Sequence, residues 1–417
     1  MTIRIMLAAL AASTALLVTP AQAEGQGETL ARAFFGADST QARQTALAAM
    51  QQAAPTDNSA RFALGSAQFF AAVEGLSQDL SRHGFTPPGG RRQWSMLPLS
   101  WPDKVEPLDY DGLRALLARF ETGLEQAAAT LATVSQDEPV GIVIGFNDAR
   151  FDMRGDGAIP ADGSFLNILA GFGGALPANP DGQPPRLEFR FDNADAIWLQ
   201  GYANVLMAQT DFLLAHDFRR GFDLSLHSLF PRAGLPLQEE LAPEDDEIRG
   251  FWDGRAADAL SFIHLLDWPV ADGAARARVR DRLLEVIRLS RANWAAIRAE
   301  TDNDREWLPG PQQPGVHPIA GRDVSEETVA GWMATLDLAE DVLEGRALIP
   351  HWRFPGRGLN IKRLLQDDAN FDLVLLLTGP AALPYLEDGK VVSERDWGEI
   401  QRMVGPGNFL STAAWFN

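Results

Sequence analysis

Five stretches of this chain bring apolar residues back every three or four positions, and that period commits much of the polypeptide to amphipathic helix. Residues 57–84 place Phe62, Phe69, Val73, Leu76 and Leu80 on one face, with Asp57 or Ser59 to cap the start. Residues 109–134 repeat the pattern with Leu113, Leu116, Leu117, Phe120, Leu124 and Leu131. Trp198, Tyr202, Val205, Phe212 and Leu213 align within 192–218. Val279, Leu283, Ile287, Trp294 and Ile297 align within 272–300, and the arginines there fall on the opposite, solvated face. The fifth stretch, 325–345, opens at Ser325, carries Val329, Trp332, Leu336 and Leu343, and stops at Gly345. A helix with one apolar stripe has to cover it with another helix. The expected fold is therefore mainly α: an array of antiparallel amphipathic helices, helical-repeat-like, with a small β-ribbon and long loops.

Strand patterns are sparse. VGIVIGF (140–146) and RLEFRFD (186–192) are the clear ones, and the second alternates apolar with charged residues. Two strands are the fewest that satisfy each other's backbone, so these are predicted to pair as an antiparallel ribbon. DLVLLL (372–377) and KVVS (390–393) are later strand candidates, and 371–386 reads as a buried element broken by Gly379-Pro380 and Pro384. Long loops are expected at 85–107, 173–185, 234–247 and 302–323. The last of these separates a helical domain, 24–301 with the ribbon region 140–192 inserted, from a helical C-terminal region, 324–417, packed on it or part of the same domain.

The N-terminus has the order of an export signal. Arg4 precedes an apolar run from Ile5 to Val18, and a short polar segment ends in Ala21-Gln22-Ala23. The run is shorter than the roughly 20 residues that span a bilayer. A signal peptide over 1–23 with cleavage after Ala23, and a periplasmic or extracellular mature chain without a transmembrane segment, are the expectations. No cysteine occurs among the 417 residues, which removes disulfides, thiol nucleophiles and thiolate metal sites. Stability has to come from burial, and 46% hydrophobic residues suffice for a large core. The formal charge of −20 excludes binding to nucleic acid or anionic lipid through phosphate contacts, which need clustered Lys and Arg.

One stretch, FDMRGDGAIPADG (151–163), has the look of a cation site. In register with an EF-hand loop, which it resembles over about 12 residues, Asp152 takes position 1, Asp156 position 5, Gly157 position 6 and Ile159 position 8. Arg154 stands at position 3 and Gly163 at position 12, where oxygen ligands belong, and Asp162 is one place early. Calcium held by Asp152, Asp156 and Asp162, with Asp192 and Asp195 as outer candidates, is one reading. A turn in which Gly155 and Gly157 supply positive φ and the aspartates cap is the other, and the composition favours it.

Other chemistry is thin. The six histidines are scattered, and His216, beside Asp217 at a helix end, fits capping better than catalysis. No Gly-x-Ser-x-Gly nucleophile motif is present. Trp94, Trp101 and Trp307 lie on loops and are the candidate ligand contacts. The locally basic 353–363, with Arg353, Arg357, Lys362 and Arg363, is expected to meet acidic loops of its own chain. These features predict a binding or scaffolding protein without catalysis, whose partner is a protein, small molecule or glycan. The alternative is an extracytoplasmic hydrolase acting through carboxylates on a carbohydrate-like substrate.

Overall fold

The fold is described from a computed structural model over residues 25–87, 98–171, 186–238, 254–313, 315, 323–396, 398 and 415–416. The expected leader, 1–23, lies outside these residues. The chain is mainly helical with a few small antiparallel sheets. In order it forms α1 (Gln26–Phe35), α2 (Thr40–Ala53), α3 (Asn58–Arg82), α4 (Tyr110–Leu131), β1 (Ile142–Gly145), α5 (Phe165–Gly171), β2 (Glu188–Phe191), α6 (Asn193–Leu214), α7 (Arg219–Ser225) and α8 (Gly254–His264). Then follow β3 (Asp267–Trp268), α9 (Gly273–Ala299), α10 (Glu326–Leu343), β4 (Ile349–Pro350), β5 (Gly358–Leu359), α11 (Ile361–Gln366), β6 (Phe371–Asp372), α12 (Leu373–Thr378) and β7 (Leu386–Glu387).

The five periodic stretches are the five long helices, and each begins at a side-chain cap. Asp57, Asp109, Asp192, Asp272 and Ser325 each accept a backbone N–H of their own first turn, satisfying donors that a helix start leaves open. Neighbouring helices run antiparallel. A Cβ on Gly65 of α3 would meet Leu131 of α4, while Gly123 of α4 lies against Ala72. Further along, Arg119 of α4 bonds Asp79 of α3. Between α4 and α6, Arg114 bonds the Leu214 carbonyl at one end and Asn193 reaches Ser135 at the other. Between α6 and α9, Asp211 receives Arg278 and Arg282. Between α9 and α10, Arg280 meets Glu344 at one end and Arg298 meets Glu326 at the other. The order across the array is thus α3, α4, α6, α9, α10. Because α6 is flanked on both sides, its buried surface exceeds one stripe and includes Leu199, Ala203 and Met207.

β1 and β2 pair antiparallel, Ile142 opposite Phe191 and Gly145 opposite Glu188. Ile142, Ile144 and Phe189 point into the largest apolar cluster, with Phe34, Phe62, Leu124 and Met207 from the helices. The ribbon therefore lies over the helical array.

Two late strand expectations are corrected. Residues 373–377 are helical, because Asp372 caps the Leu375 N–H and leucine is a good helix former; Gly379, at φ 111°, ends the turn. This segment is not fully buried either, with Leu375 and Leu377 exposed. In 390–393, Val391 makes only an isolated bridge to Leu348. Among the described residues, no helix is long and apolar enough to cross a membrane.

Candidate binding site at the aromatic cavity

The loop 151–163 is built as a turn. Asp152 is buried and accepts the N–H groups of Arg154 at 3.3 Å and Gly155 at 2.9 Å. Asp156 accepts the Ala158 N–H at 3.1 Å, and Asp162 lies 3.8 Å from the Arg154 guanidinium. Gly155 and Gly157 have φ of 65° and 98°, the left-handed region that favours glycine. Neighbours clamp the loop: Glu74 accepts the Asp152 N–H, Gln78 donates to its carbonyl, and the Ile159 N–H reaches Asp38. Arg43 in turn pairs with Glu74, whose carboxyl is pushed up by burial against the opposing pull of that arginine. Asp192 and Asp195 stand beyond the Phe191 end of the ribbon, whereas Asp152 follows its Gly145 end.

What the ribbon and helices enclose is a cavity of about 320 Å³ between α1, α3, α5, α6 and the β1–β2 pair. Its wall is mostly aromatic: Phe35, Phe69, Phe70, Phe146, Phe165 and Trp198 are among the lining residues. Many of these rings meet edge to face, as Phe35 does with Phe70 and with Phe165. Polar groups in the wall are few. Ser66, on α3, is buried, and its hydroxyl has no hydrogen-bond partner among the described residues. Tyr202 and Asp195 line it from α6, and burial pushes the Tyr202 phenol up.

Asp195 belongs to a group of acids. Its carboxylate accepts the Asp192 N–H at 2.9 Å, and Asp192 accepts the Ala194 N–H at 2.8 Å, a capping box with aspartate at both positions. Beside it, Glu300 caps the C-terminal end of α9 and Glu306 follows in the next loop. Carboxylate oxygens of Asp192, Glu300 and Glu306 all lie within 4.8 Å of one another, a spacing that could hold a hard cation. The loop is fixed there because the Arg190 N–H of β2 bonds the Arg305 carbonyl at 3.0 Å, which adds Glu306 to the ribbon edge. Arg305 adopts φ 61°, uncommon for a residue with a side chain.

Charge in this corner is only partly offset, by Arg190 acting on Asp192 and Glu306. Arg190 faces Asp302 at 3.5 Å and Asp304 at 3.7 Å. Among the described residues, Asp192, Asp195, Glu300 and Glu306 make no ion pair. Their carboxyls all rise above the ordinary range. Burial is the chief cause in each, and for Glu300 the nearby Asp192 adds to it, giving about 8. Gln313 donates to Glu300 at 2.8 Å and opposes the rise without cancelling it.

Compared with protein-family models, curated proteins and solved structures, the chain matches none of them.

Of the three loop tryptophans, Trp307 lines the cavity and packs against Phe146, Phe189 and Trp198. Trp101 is half-buried away from this wall, and Trp94 lies outside the described residues. His216 is fully buried with Nδ1 2.6 Å from the Phe212 carbonyl; burial lowers its pKa, and it caps a helix end. The basic stretch pairs with its own chain: Arg357 with Asp388, Lys362 with Glu344, Arg363 with Glu387. Glu300 and Glu306 escaped the sequence reading. The signal was the run ETDNDRE, 300–306, with an acid at every second position, which looks the same as an ordinary solvated loop.

Proposed function

We propose that this protein is an exported binding protein that holds an apolar small molecule in the aromatic cavity, without catalysis. The carrying observation is the cavity itself. Small-molecule sites are concave, mostly apolar and furnished with few polar groups, with volumes from about 300 Å³ upward. A space of about 320 Å³ walled by phenylalanine and tryptophan, with Ser66, Tyr202 and Asp195 as its polar features, suits that description. Export rests on the leader-like order of residues 1–23 and is checked by mass spectrometry of the mature N-terminus, expected at Glu24.

A carbohydrate hydrolase is supported less well. Sugar hydroxyls need many donors and acceptors, and this wall offers few. The three close carboxylates also share one space within 4.8 Å, instead of standing across a cleft at the roughly 5–9.5 Å of glycosidase pairs.

The test uses a neutral apolar dye such as Nile red with the mature chain. Its emission should rise on binding, and Val73→Phe, which adds a ring at the cavity wall, should weaken the affinity at least about tenfold. Equal binding by wild type and Val73→Phe, or no binding by wild type, would sink the proposal.

A further inference from the structure

The apolar wall says what the body of a ligand is; the acids say what its head is. Asp195 is buried and forms part of the cavity wall. Behind it stand Asp192, Glu300 and Glu306, and none of the four is ion-paired among the described residues. A helix N-terminus such as that of α6 welcomes about half a negative charge. The capping pair Asp192 and Asp195 already meets it, so the two glutamates are in excess. Arg190 pairs with Asp302 and Asp304 and offsets only part of the charge of Asp192 and Glu306. A second observation comes from another helix: Ser66, on α3, lines the same cavity with a buried hydroxyl that has no partner among the described residues. A hydroxyl accepts hydrogen bonds as well as donating them, and a carboxylate only accepts. Both wall groups therefore suit a head that donates.

We propose that the ligand is an apolar amine, its hydrocarbon or aromatic body in the cavity and its protonated nitrogen at the Asp195 end. The inference rests on the cavity-binding reading above. An ammonium brings donors to Asp195 and, once bound, holds that buried carboxyl in its ionised form. An anionic head would be buried beside these acids without a cationic partner, and a neutral alcohol would gain the apolar contacts without the charge pairing. Trp198, three residues on from Asp195, and Trp307, next to Glu306, line the same cavity, and aromatic rings attract cations.

The test compares three probes of equal chain length by titration calorimetry near neutral pH: octylamine, octanol and octanoate. For the wild-type mature chain, octylamine should bind at least about tenfold tighter than octanol, and octanoate weaker than both. Asp195→Asn keeps an acceptor for the Asp192 N–H. It should remove most of the preference for the amine, read as the ratio of octylamine to octanol affinity in the same protein. Glu300→Gln, one step behind the wall, should reduce the preference by less. The wild-type comparison needs no variant, so a poorly folded Asp195→Asn does not spare the idea. Octylamine binding no better than octanol overturns the head-group assignment. If Nile red still binds in that case, the cavity reading stands; if it also fails, both fall.

Discussion

Glu300 gives the clearest consequence of a single side chain. Its carboxyl is raised from the ordinary 4.5 to about 8 by burial first and by Asp192 second, and Asp195, Glu306 and Asp192 rise in the same corner. A group whose folded pKa exceeds its unfolded one binds more protons when folded. Its stabilisation is full below the unfolded pKa and is lost as pH rises through the folded one. Stability should therefore fall as pH climbs from about 4.5 to about 8 on account of these acids. His216 works in the other direction, since burial lowers its pKa from 6.5 and folding is helped as the solution passes up to that value. Above about pH 6.5 the histidine contribution is complete and the acids are left alone. The thermal midpoint should drop by a few degrees between about pH 6.5 and about pH 8.5. Glu300→Gln, which keeps an acceptor for Gln313 but cannot ionise, should flatten that drop and raise the midpoint at the alkaline end. A wild-type midpoint that holds level or climbs over this interval contradicts the assignment. These acids were only partly legible beforehand. Asp192 and Asp195 stood out as outer candidates for a cation; Glu300 and Glu306 did not, because nothing local distinguishes a buried acid from a solvated one. Glu306 is buried next to Trp307, which packs against Phe189 and Trp198, and Glu300 is half-buried at the end of α9.

Helices were far easier to read than the short strands, and the reason is how each is stabilised. A helix of 22 to 27 residues shows its apolar period many times over, as α4 and α9 do. A two-residue strand such as β4 shows none, and exists because β5 brings Leu359 opposite Ile349. The stretch 372–377 failed for a related reason: a short apolar run has no period to choose between strand and helix, and the Asp372 cap decided it. Caps were readable, and two of them permit a comparison. Asp109 starts α4, its carboxylate accepting the Gly112 N–H at 2.7 Å, and it belongs to no close group of three acids among the described residues. Asp109→Ala should lose about 1 kcal/mol, the usual worth of such a cap. Asp192 caps α6 in the same manner, yet it is crowded by Asp195 and Glu300. Asp192→Ala removes a cap and a repulsion together, so its loss in urea denaturation above about pH 8 should be smaller than that of Asp109→Ala. At about pH 5, with the neighbours protonated, the two losses should converge. A larger loss for Asp192→Ala under alkaline conditions contradicts the crowding.

At the scale of the whole molecule, what matters is how the C-terminal part is joined to the rest. Sequence left open whether 324–417 is a separate region or part of one domain. Trp332, Leu336 and Phe416 share an apolar cluster with Ala194 of α6 and with Ile287 and Trp294 of α9. The Trp198 indole, which lines the cavity, donates to the Trp415 carbonyl at 2.8 Å. Arg276 adds a polar tie. It is fully buried on α9, and its guanidinium donates to the Leu364 carbonyl at 2.7 Å and the Ala369 carbonyl at 2.6 Å. With both contacts running through α9, the two parts share one apolar cluster beside those that each keeps for itself, and they should unfold together. Calorimetry of the mature chain should show a single transition. Arg276→Met retains the apolar stem but leaves two carbonyls without that donor. Each buried unsatisfied group costs about 1–3 kcal/mol, so the variant should lose several kcal/mol. The informative feature is the form of the loss. If α9 is shared core, the one transition shifts down intact, and apolar-dye binding is lost in that same transition. If the C-terminal region is instead an independent body, the variant splits the trace into two transitions, the dye staying bound through the first.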